Sequence, residues 1–227
     1  MKLTREVSIS LSALILTIAS LTVPSAKADL MGTVATPPTS TVFPGFVAPG
    51  TNPGTLLADL VEPFSTTVGT SGVLNTAVFQ ESGGTLDFYY QVENNAGSID
   101  SLARETDTNF TGFTTSTGFR VDGSTLPGGF VNGTVAPVTA DRNGPGDVVG
   151  FSFNPPDSAK IPPGSTSNVF VISTDATHFT NGTASLIDGG TTTIKAFEPQ
   201  SAIPEPSELM AMALGLITLV ALHGRRA

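Results

Sequence analysis

The chain has 227 residues, a formal net charge of −9 and no cysteine. The length suits one domain, or one domain with processed ends. The lack of cysteine excludes disulfides, thiol catalysis and cysteine-ligated metals, so the fold depends on its core. Residues 29–203 hold five Lys and Arg against 16 Asp and Glu, a net charge near −11. Because no basic patch is available to neutralise phosphates, we expect no nucleic-acid partner.

Residues 1–28 are typical of a secretory signal peptide, with a positively charged start and a mostly apolar stretch at residues 7–23. Ala26 and Ala28 supply the small residues of the cleavage site. The pattern predicts export through the general secretion machinery and cleavage by signal peptidase, with a mature chain that begins at Asp29. The alternative is an uncleaved membrane helix, which the charged start and the cleavage site disfavour.

The next segment, residues 29–54, is rich in Pro, Thr and Gly, which predicts extended chain without helix. From residue 55 to residue 200, short apolar runs are separated by turn residues about every ten positions, as in an all-β domain. The clearest strand is Thr85–Glu93, where apolar residues alternate with a period of two. That period is typical of a strand buried on one face. The apolar face carries Leu86, Phe88, Tyr90 and Val92.

Other apolar runs predict further strands at residues 73–80, 147–153, 168–174, 184–187 and 191–197. The first forms a hairpin with Thr85–Glu93, and the last two close a hairpin around Asp188-Gly189-Gly190. The nearly continuous apolar run at 168–174 indicates a central strand. One helical interlude is predicted at Ser98–Glu105. About seven to nine short strands favour an antiparallel two-sheet sandwich, Ig-like or jelly-roll-like, and a barrel is the alternative.

The C-terminus carries a second apolar segment, which predicts one transmembrane helix over residues 207–224. The run is short, since a span needs roughly 20 apolar residues. Arg225 and Arg226 follow the run. If residues 29–203, here called the body, are exported, these arginines lie on the cytoplasmic side, as the positive-inside rule requires. The alternative is an amphipathic or buried helix, but no polar face recurs at helical spacing.

A short motif, Pro204-Glu205-Pro206, precedes this helix. The motif, the apolar helix and the two terminal arginines together resemble the PEP-CTERM sorting segment of exported bacterial proteins, here residues 203–227. Such a segment is sometimes labelled an ice-binding protein C-terminal domain, a label that describes the segment alone. The resemblance implies a membrane processing enzyme, exosortase, that cleaves near the motif and releases or transfers the body. This segment departs from the family at Ile203, where Val is commoner, and at its C-terminal basic cluster, which has only two arginines.

Three stretches of the body are also similar to sandwich bodies that precede this kind of segment in other proteins. They are residues 85–94 (TLDFYYQVEN), 110–113 (FTGF) and 163–174 (PGSTSNVFVIST). Because those bodies share no agreed activity, the similarity bears on the fold more than on the function.

The body carries few candidate catalytic residues. His178 is its single histidine, with no G-x-S-x-G motif beside it and no second histidine to bind zinc. A pair of carboxylates could still assemble for glycoside cleavage. However, the chain has no tryptophan and two tyrosines, so it offers few flat surfaces for sugar rings.

One loop suggests a cation site. Asp141, Asn143 and Asp147 place oxygen atoms at alternate positions around glycines, which is a donor set that calcium accepts. The alternative is an ordinary Gly-Pro hairpin, which the lack of a following bidentate Glu favours. No other cofactor is expected.

These features predict a non-enzymatic protein of the cell surface or extracellular matrix. It would be transiently anchored in the inner membrane, with its body outside the cytoplasm, and then serve as a structural or adhesive component associated with exopolysaccharide. The alternatives are a surface carbohydrate-active enzyme and a calcium-dependent ligand-binding module.

Overall fold

The computed structural model describes residues 39–42, 54–120 and 126–201. This part of the chain is all-β, with one short 3-10 turn at Asp157–Ala159. The strands are β1 (Thr39–Val42), β2 (Thr55–Ser65), β3 (Ser71–Gln80), β4 (Leu86–Asn94), β5 (Arg104–Asp107), β6 (Thr115–Phe119), β7 (Thr139–Arg142), β8 (Val149–Ser152), β9 (Ser165–Thr166), β10 (Phe170–Thr174), β11 (His178–Ile187) and β12 (Thr191–Gln200).

The strands form two antiparallel sheets. The front sheet has the order β1-β7-β8-β5-β11-β12, and the back sheet has the order β2-β3-β4-β10-β6, with β9 beside β4. One hydrophobic cluster draws buried side chains from both sheets. Phe151 of the front sheet and Phe170 of the back sheet, for example, have ring centroids 4.4 Å apart. The two sheets therefore pack face to face, which fits the predicted β-sandwich.

The strongest strand predictions are confirmed. β3 and β4 form the expected hairpin, with Val78 opposite Phe88. β10 lies between β4 and β6, so the run at 168–174 is indeed a central strand. β11 and β12 form the closing hairpin, each ten residues long, with the Asp188 amide donating to the Gly190 carbonyl at 2.9 Å.

The predicted helix at Ser98–Glu105 is wrong. Residues 98–103 are irregular chain with a bend at 99–100 and an isolated bridge at Leu102, and β5 begins at Arg104. Leu102 is buried, and its backbone exchanges two hydrogen bonds of 3.0 Å with Ile161. Pairing with a distant segment buries Leu102 and satisfies its backbone, so tertiary contact overrides the weak helical preference of this short stretch.

The half-buried pattern predicted for β4 is wrong on its polar face. Tyr89 is buried in a second cluster with Phe79, Phe130 and their neighbours on the outer side of the back sheet. The segment at 126–138 covers this side, and Gln91 holds it in place. The Gln91 Nε2 atom donates to the Val131 carbonyl at 2.7 Å, and its Oε1 accepts from the Val131 amide at 2.9 Å.

The N-terminal Pro/Thr/Gly-rich segment contributes one strand, because β1 pairs with β7 along Thr39–Val42. The predicted signal peptide with Ala26 and Ala28, and the predicted sorting segment from residue 203 to residue 227, lie outside the described residues. Within the described ranges, no helix is long and apolar enough to cross a membrane.

Candidate binding face

The outer face of the front sheet carries a row of small and polar side chains across five strands. Strand pairing places Asp141, Gly150, Thr106, Ser185 and Thr193 next to one another in that order. The alternate positions of these strands point into the sandwich, where most of them join the hydrophobic core and those of β5 are the buried Glu105 and Asp107. Since successive side chains of a strand point to opposite faces, these five residues, here called the outer row, point away from the core.

Arg104 lies over the gap that Gly150 leaves in the outer row. A Cβ atom at Gly150 would be 2.1 Å from Arg104 Nη2, so the guanidinium occupies the space of the missing side chain. Arg104 Nη1 donates to Asp141 Oδ2 at 2.5 Å, and Nη2 donates to Asp141 Oδ1 at 2.7 Å. Nη1 also donates to Ser152 Oγ at 2.6 Å. The geometry is a bidentate pair, which fixes both side chains.

The Arg104–Asp141 pair is accessible to solvent, with side chains 26% and 28% exposed. An exposed pair of this kind contributes about 1 kcal/mol or less to stability. Each Asp141 oxygen accepts one bond from Arg104 and keeps a second lone pair, and Arg104 Nε and the second N–H of Nη2 can donate to a ligand. The pair is therefore better suited to recognition than to holding the fold together.

Hydroxyl groups continue the polar surface towards β12. Ser185 Oγ and Thr193 Oγ1 are 3.1 Å apart, and Thr108 Oγ1 and Thr183 Oγ1 are 3.3 Å apart. A hydroxyl both donates and accepts, so paired hydroxyls can rotate to match a ligand that carries hydroxyls of its own. In contrast, every Phe and Tyr in the described ranges is buried or half-buried. A ligand on this face would be held by hydrogen bonds and not by ring stacking.

The structure turns the predicted calcium ligands towards protein partners. Asp141 pairs with Arg104, and Asn143 Oδ1 accepts from the amides of Asp147 and Val148 at 2.7 and 3.0 Å. The Asp147 carboxylate lies 3.4 Å from the Thr111 hydroxyl. The described residues contain no group of three or more His, Cys, Asp or Glu that could hold a metal ion.

The same loop also binds the positively charged side chain of Arg142. The Arg142 guanidinium donates from Nε and Nη2 to the Gly146 carbonyl at 2.9 and 2.7 Å. The loop thus has the geometry of the hairpin alternative, closed by a hydrogen bond of 3.0 Å from the Asn143 amide to the Val148 carbonyl. Calcium at this loop stays a prediction, and it would have to displace these protein donors.

His178 lies at the start of β11, where it is exposed. Its Nδ1 atom is 3.0 Å from the hydroxyl of the preceding Thr177. This contact is local, and His178 is the first residue of β11.

A carboxyl pair lies inside the sandwich. Glu105 and Asp107 point inward from β5 and are 0% and 1% exposed. Burial raises the pKa of Glu105 to about 8, although hydrogen bonding with Asp107 and the charge of Arg104 oppose the rise. Burial, followed by the charge of Glu105, raises the pKa of Asp107 well above its ordinary value. Because the pair is enclosed by the core, it does not line a cleft that a sugar chain could enter.

The sequence did not predict the roles of the β5 residues, neither the outward Arg104 nor the inward carboxyl pair. Arg104 and Glu105 fell at the end of the predicted helix, and Asp107 was not singled out. The available signal was the alternation in Arg104-Glu105-Thr106-Asp107, which has the period of a strand. That signal is hard to recognise because the inward positions carry acids where a strand normally carries apolar residues.

The described chain is thus an all-β protein of two antiparallel sheets with a polar outer face on one of them. No family model, no curated protein and no solved structure matches it.

Proposed function

We propose that the protein is an exported, non-enzymatic component of the cell surface or extracellular matrix that binds neutral polysaccharide through the outer face of the front sheet. The observation that carries the binding proposal is the solvent-accessible Arg104–Asp141 pair, set in a row of small and polar residues across five strands, three of which contribute hydroxyls. Guanidinium, carboxylate and hydroxyl groups together offer the donors and acceptors that sugar hydroxyls need.

The charge of the body favours a neutral polysaccharide. Residues 29–203 carry a net charge near −11, which repels anionic chains at low and moderate salt. Arg104 is already paired with Asp141, and the exposed Lys195 of β12 lies 4.0 Å from Glu62, so each of these cations has a carboxylate beside it. A neutral chain avoids this repulsion and can use the hydrogen-bonding groups of the face.

A structural role agrees with the surroundings of the acids and the histidine. The carboxyls Glu105 and Asp107 are buried away from any substrate, and the ring of the exposed His178 lies 3.0 Å from the hydroxyl of the adjacent Thr177. A carbohydrate-active enzyme would need at least two acids in an open cleft. No specific observation favours that alternative or the calcium-dependent module.

Replacing Arg104 with glutamine tests the binding proposal. We expect retention of the full-length protein by the neutral fraction of the host exopolysaccharide to fall about tenfold, because the loss of a fixed hydrogen-bonded group costs about 1.4 kcal/mol or more. Affinity electrophoresis in gels with and without the polysaccharide measures the change. The matched control is Lys160→Gln, which removes a cation paired with the exposed Asp157 at 3.2 Å. Equal retention of the two variants, or no retention of the wild type, would contradict the proposal.

The C-terminal segment carries the sorting part of the proposal. Residues 203–227 would hold the precursor in the inner membrane until an exosortase-type enzyme cleaves near Pro204-Glu205-Pro206. Replacing Arg225 and Arg226 with glutamine removes the charges that set the direction of the segment, so we expect uncleaved precursor to accumulate in the membrane fraction. Immunoblots of fractionated host cells measure this. Lys195→Gln, at a side chain 77% exposed in the body, is the control and should be processed normally.

A further inference from the structure

The interior carboxyl pair Glu105 and Asp107 is buried without the hydrogen-bond donors that buried carboxyl groups usually have. The four oxygens of Glu105 and Asp107 accept no hydrogen bond of normal geometry from a described N–H or O–H group. An isolated carboxylate in an apolar interior costs so much that such groups pair, bind a cation or take up a proton. The surroundings of the pair decide among these.

The neighbours of the pair on the front sheet are apolar. Glu105 lies between Phe151 on β8 and Leu186 on β11, and Asp107 lies between Val149 and Ala184 on the same two strands. All four neighbours are fully buried in the main cluster. These strands therefore provide no side-chain donor or positive charge beside either carboxyl group.

The charged and titratable groups nearby are few. Tyr90 of β4 in the back sheet is fully buried and donates its hydroxyl to the Phe197 carbonyl at 3.3 Å. Its hydroxyl also lies near Asp107, where it opposes the rise in the pKa of that carboxyl without cancelling it. Arg104 neighbours Glu105 along the chain, but its guanidinium lies on the outer face against Asp141. Glu198 on β12 adds negative charge near Tyr90. No cation from the described chain neutralises both acids, which leaves shared protons as the means of burying them.

We propose that Glu105 and Asp107 form a proton-dependent latch: the folded sandwich keeps the pair protonated and hydrogen-bonded between its two sheets, and loss of that proton at alkaline pH loosens β5. This inference is independent of the proposed function. The latch makes the body most stable at acidic pH. An exported protein is exposed to the pH of its surrounding medium.

The sign of the pH dependence follows from the direction of the shifts. Burial raises the pKa of Glu105 from 4.5 to about 8, so between these values the folded chain binds a proton that the unfolded chain has lost. Stability is therefore greatest below the unfolded pKa and decreases as pH rises through the folded pKa. For each proton held in this way, the folding equilibrium constant falls about tenfold per pH unit.

Urea unfolding of the full-length protein across the range from about pH 5 to about pH 8 tests the latch. We expect the stability of the wild type to decrease steeply with pH, and Glu105→Gln to flatten that decrease. Glu93→Gln is the matched control, because Glu93 is an exposed glutamate on the adjacent back sheet. Asp87 is a third buried carboxyl with a raised pKa and accepts a hydrogen bond from Ser173, so the slopes of the variants are compared with the slope of the wild type. Parallel curves for the wild type and Glu105→Gln would overturn the proposal.

Two further readouts keep the test decisive if Glu105→Gln fails to fold. The carboxyl ¹³C shift of Glu105 in the wild type should report a protonated group at about pH 6, and an ionised group there would overturn the latch. Calcium added at about pH 8 should leave the stability of Asp147→Asn, a variant that removes one ligand of the candidate loop site, unchanged. A stabilisation of that variant by calcium would instead assign the interior pair to a cation and overturn the proton-dependent latch.

Discussion

Alanine at position 72 is expected to lower the free energy of unfolding by about 3 kcal/mol, as overpacking of a fixed site does. A Cβ atom at Gly72 would be 1.9 Å from the Glu93 carbonyl oxygen and 2.5 Å from the Phe64 ring. Gly72 pairs with Phe64 on one side and with Asn94 on the other, so both neighbouring strands are fixed by their ladders. The clash is with backbone and with a buried ring, and neither can move without breaking β-sheet pairing. Urea denaturation of the purified protein measures the loss.

Gly97→Ala is the matched control for this substitution. A Cβ atom at Gly97 meets nothing within 4 Å, and its backbone is not in the left-handed region. Its stability should stay within about 0.5 kcal/mol of the wild type. A loss at Gly97 as large as the loss at Gly72 would contradict the packing explanation.

Replacing Arg142 with methionine is the second substitution with a large expected effect, a loss of about 3 kcal/mol or more, because each buried acceptor left unsatisfied costs about 1–3 kcal/mol. The Arg142 guanidinium donates to the carbonyls of Gly146, Phe110 and Phe113 and to the Thr115 hydroxyl. It therefore ties the loop after β7 to the segment between β5 and β6. Arg142→Lys should also lose stability, since one ammonium cannot reach acceptors arranged around a planar fork.

The comparison with Arg104→Met isolates the contribution of burial. Arg104 is also an arginine of the front sheet, but its side chain is 26% exposed and its partner Asp141 can be hydrated. The expected loss there is about 1 kcal/mol or less. Thermal and urea unfolding of both variants measures the two losses. A loss of unfolding free energy in Arg104→Met as large as that in Arg142→Met would contradict this explanation.

The sequence predicted those strands in which the apolar residues of the local pattern are also the residues that the fold buries. The core face of β4, the central position of β10 and the β11–β12 hairpin all follow from apolar runs and from the Asp188–Gly190 turn. β5 could not be found in this way, because its inward residues are Glu105 and Asp107. Its recognition depends on pairing with β8 and β11, which are distant in the sequence.

The candidate sites show the same limit. The oxygen-rich pattern of Asp141, Asn143 and Asp147 is visible in the sequence, but the partners that engage these side chains are not. Arg104 is 37 residues away from Asp141, and only the register of three strands brings the two together. The burial of Tyr89 likewise depends on a covering segment about 40 residues further along the chain. Long-range pairing, and not local pattern, determines which polar residues face solvent.

β5 connects the two proposals. Arg104 contributes to the outer face, and the adjacent Glu105 contributes to the interior pair, so one strand of four residues carries both. Ionisation of the interior pair would loosen the strand that positions Arg104. Polysaccharide retention that decreases at alkaline pH would follow from this connection.

The central claim, export followed by C-terminal sorting, is tested most directly by the mass of the mature protein isolated from the surface or medium of its native host. Intact-mass and peptide mass spectrometry should find a chain that begins at Asp29 and ends near Pro204-Glu205-Pro206. A mature surface protein that extends to Ala227 would contradict the claim.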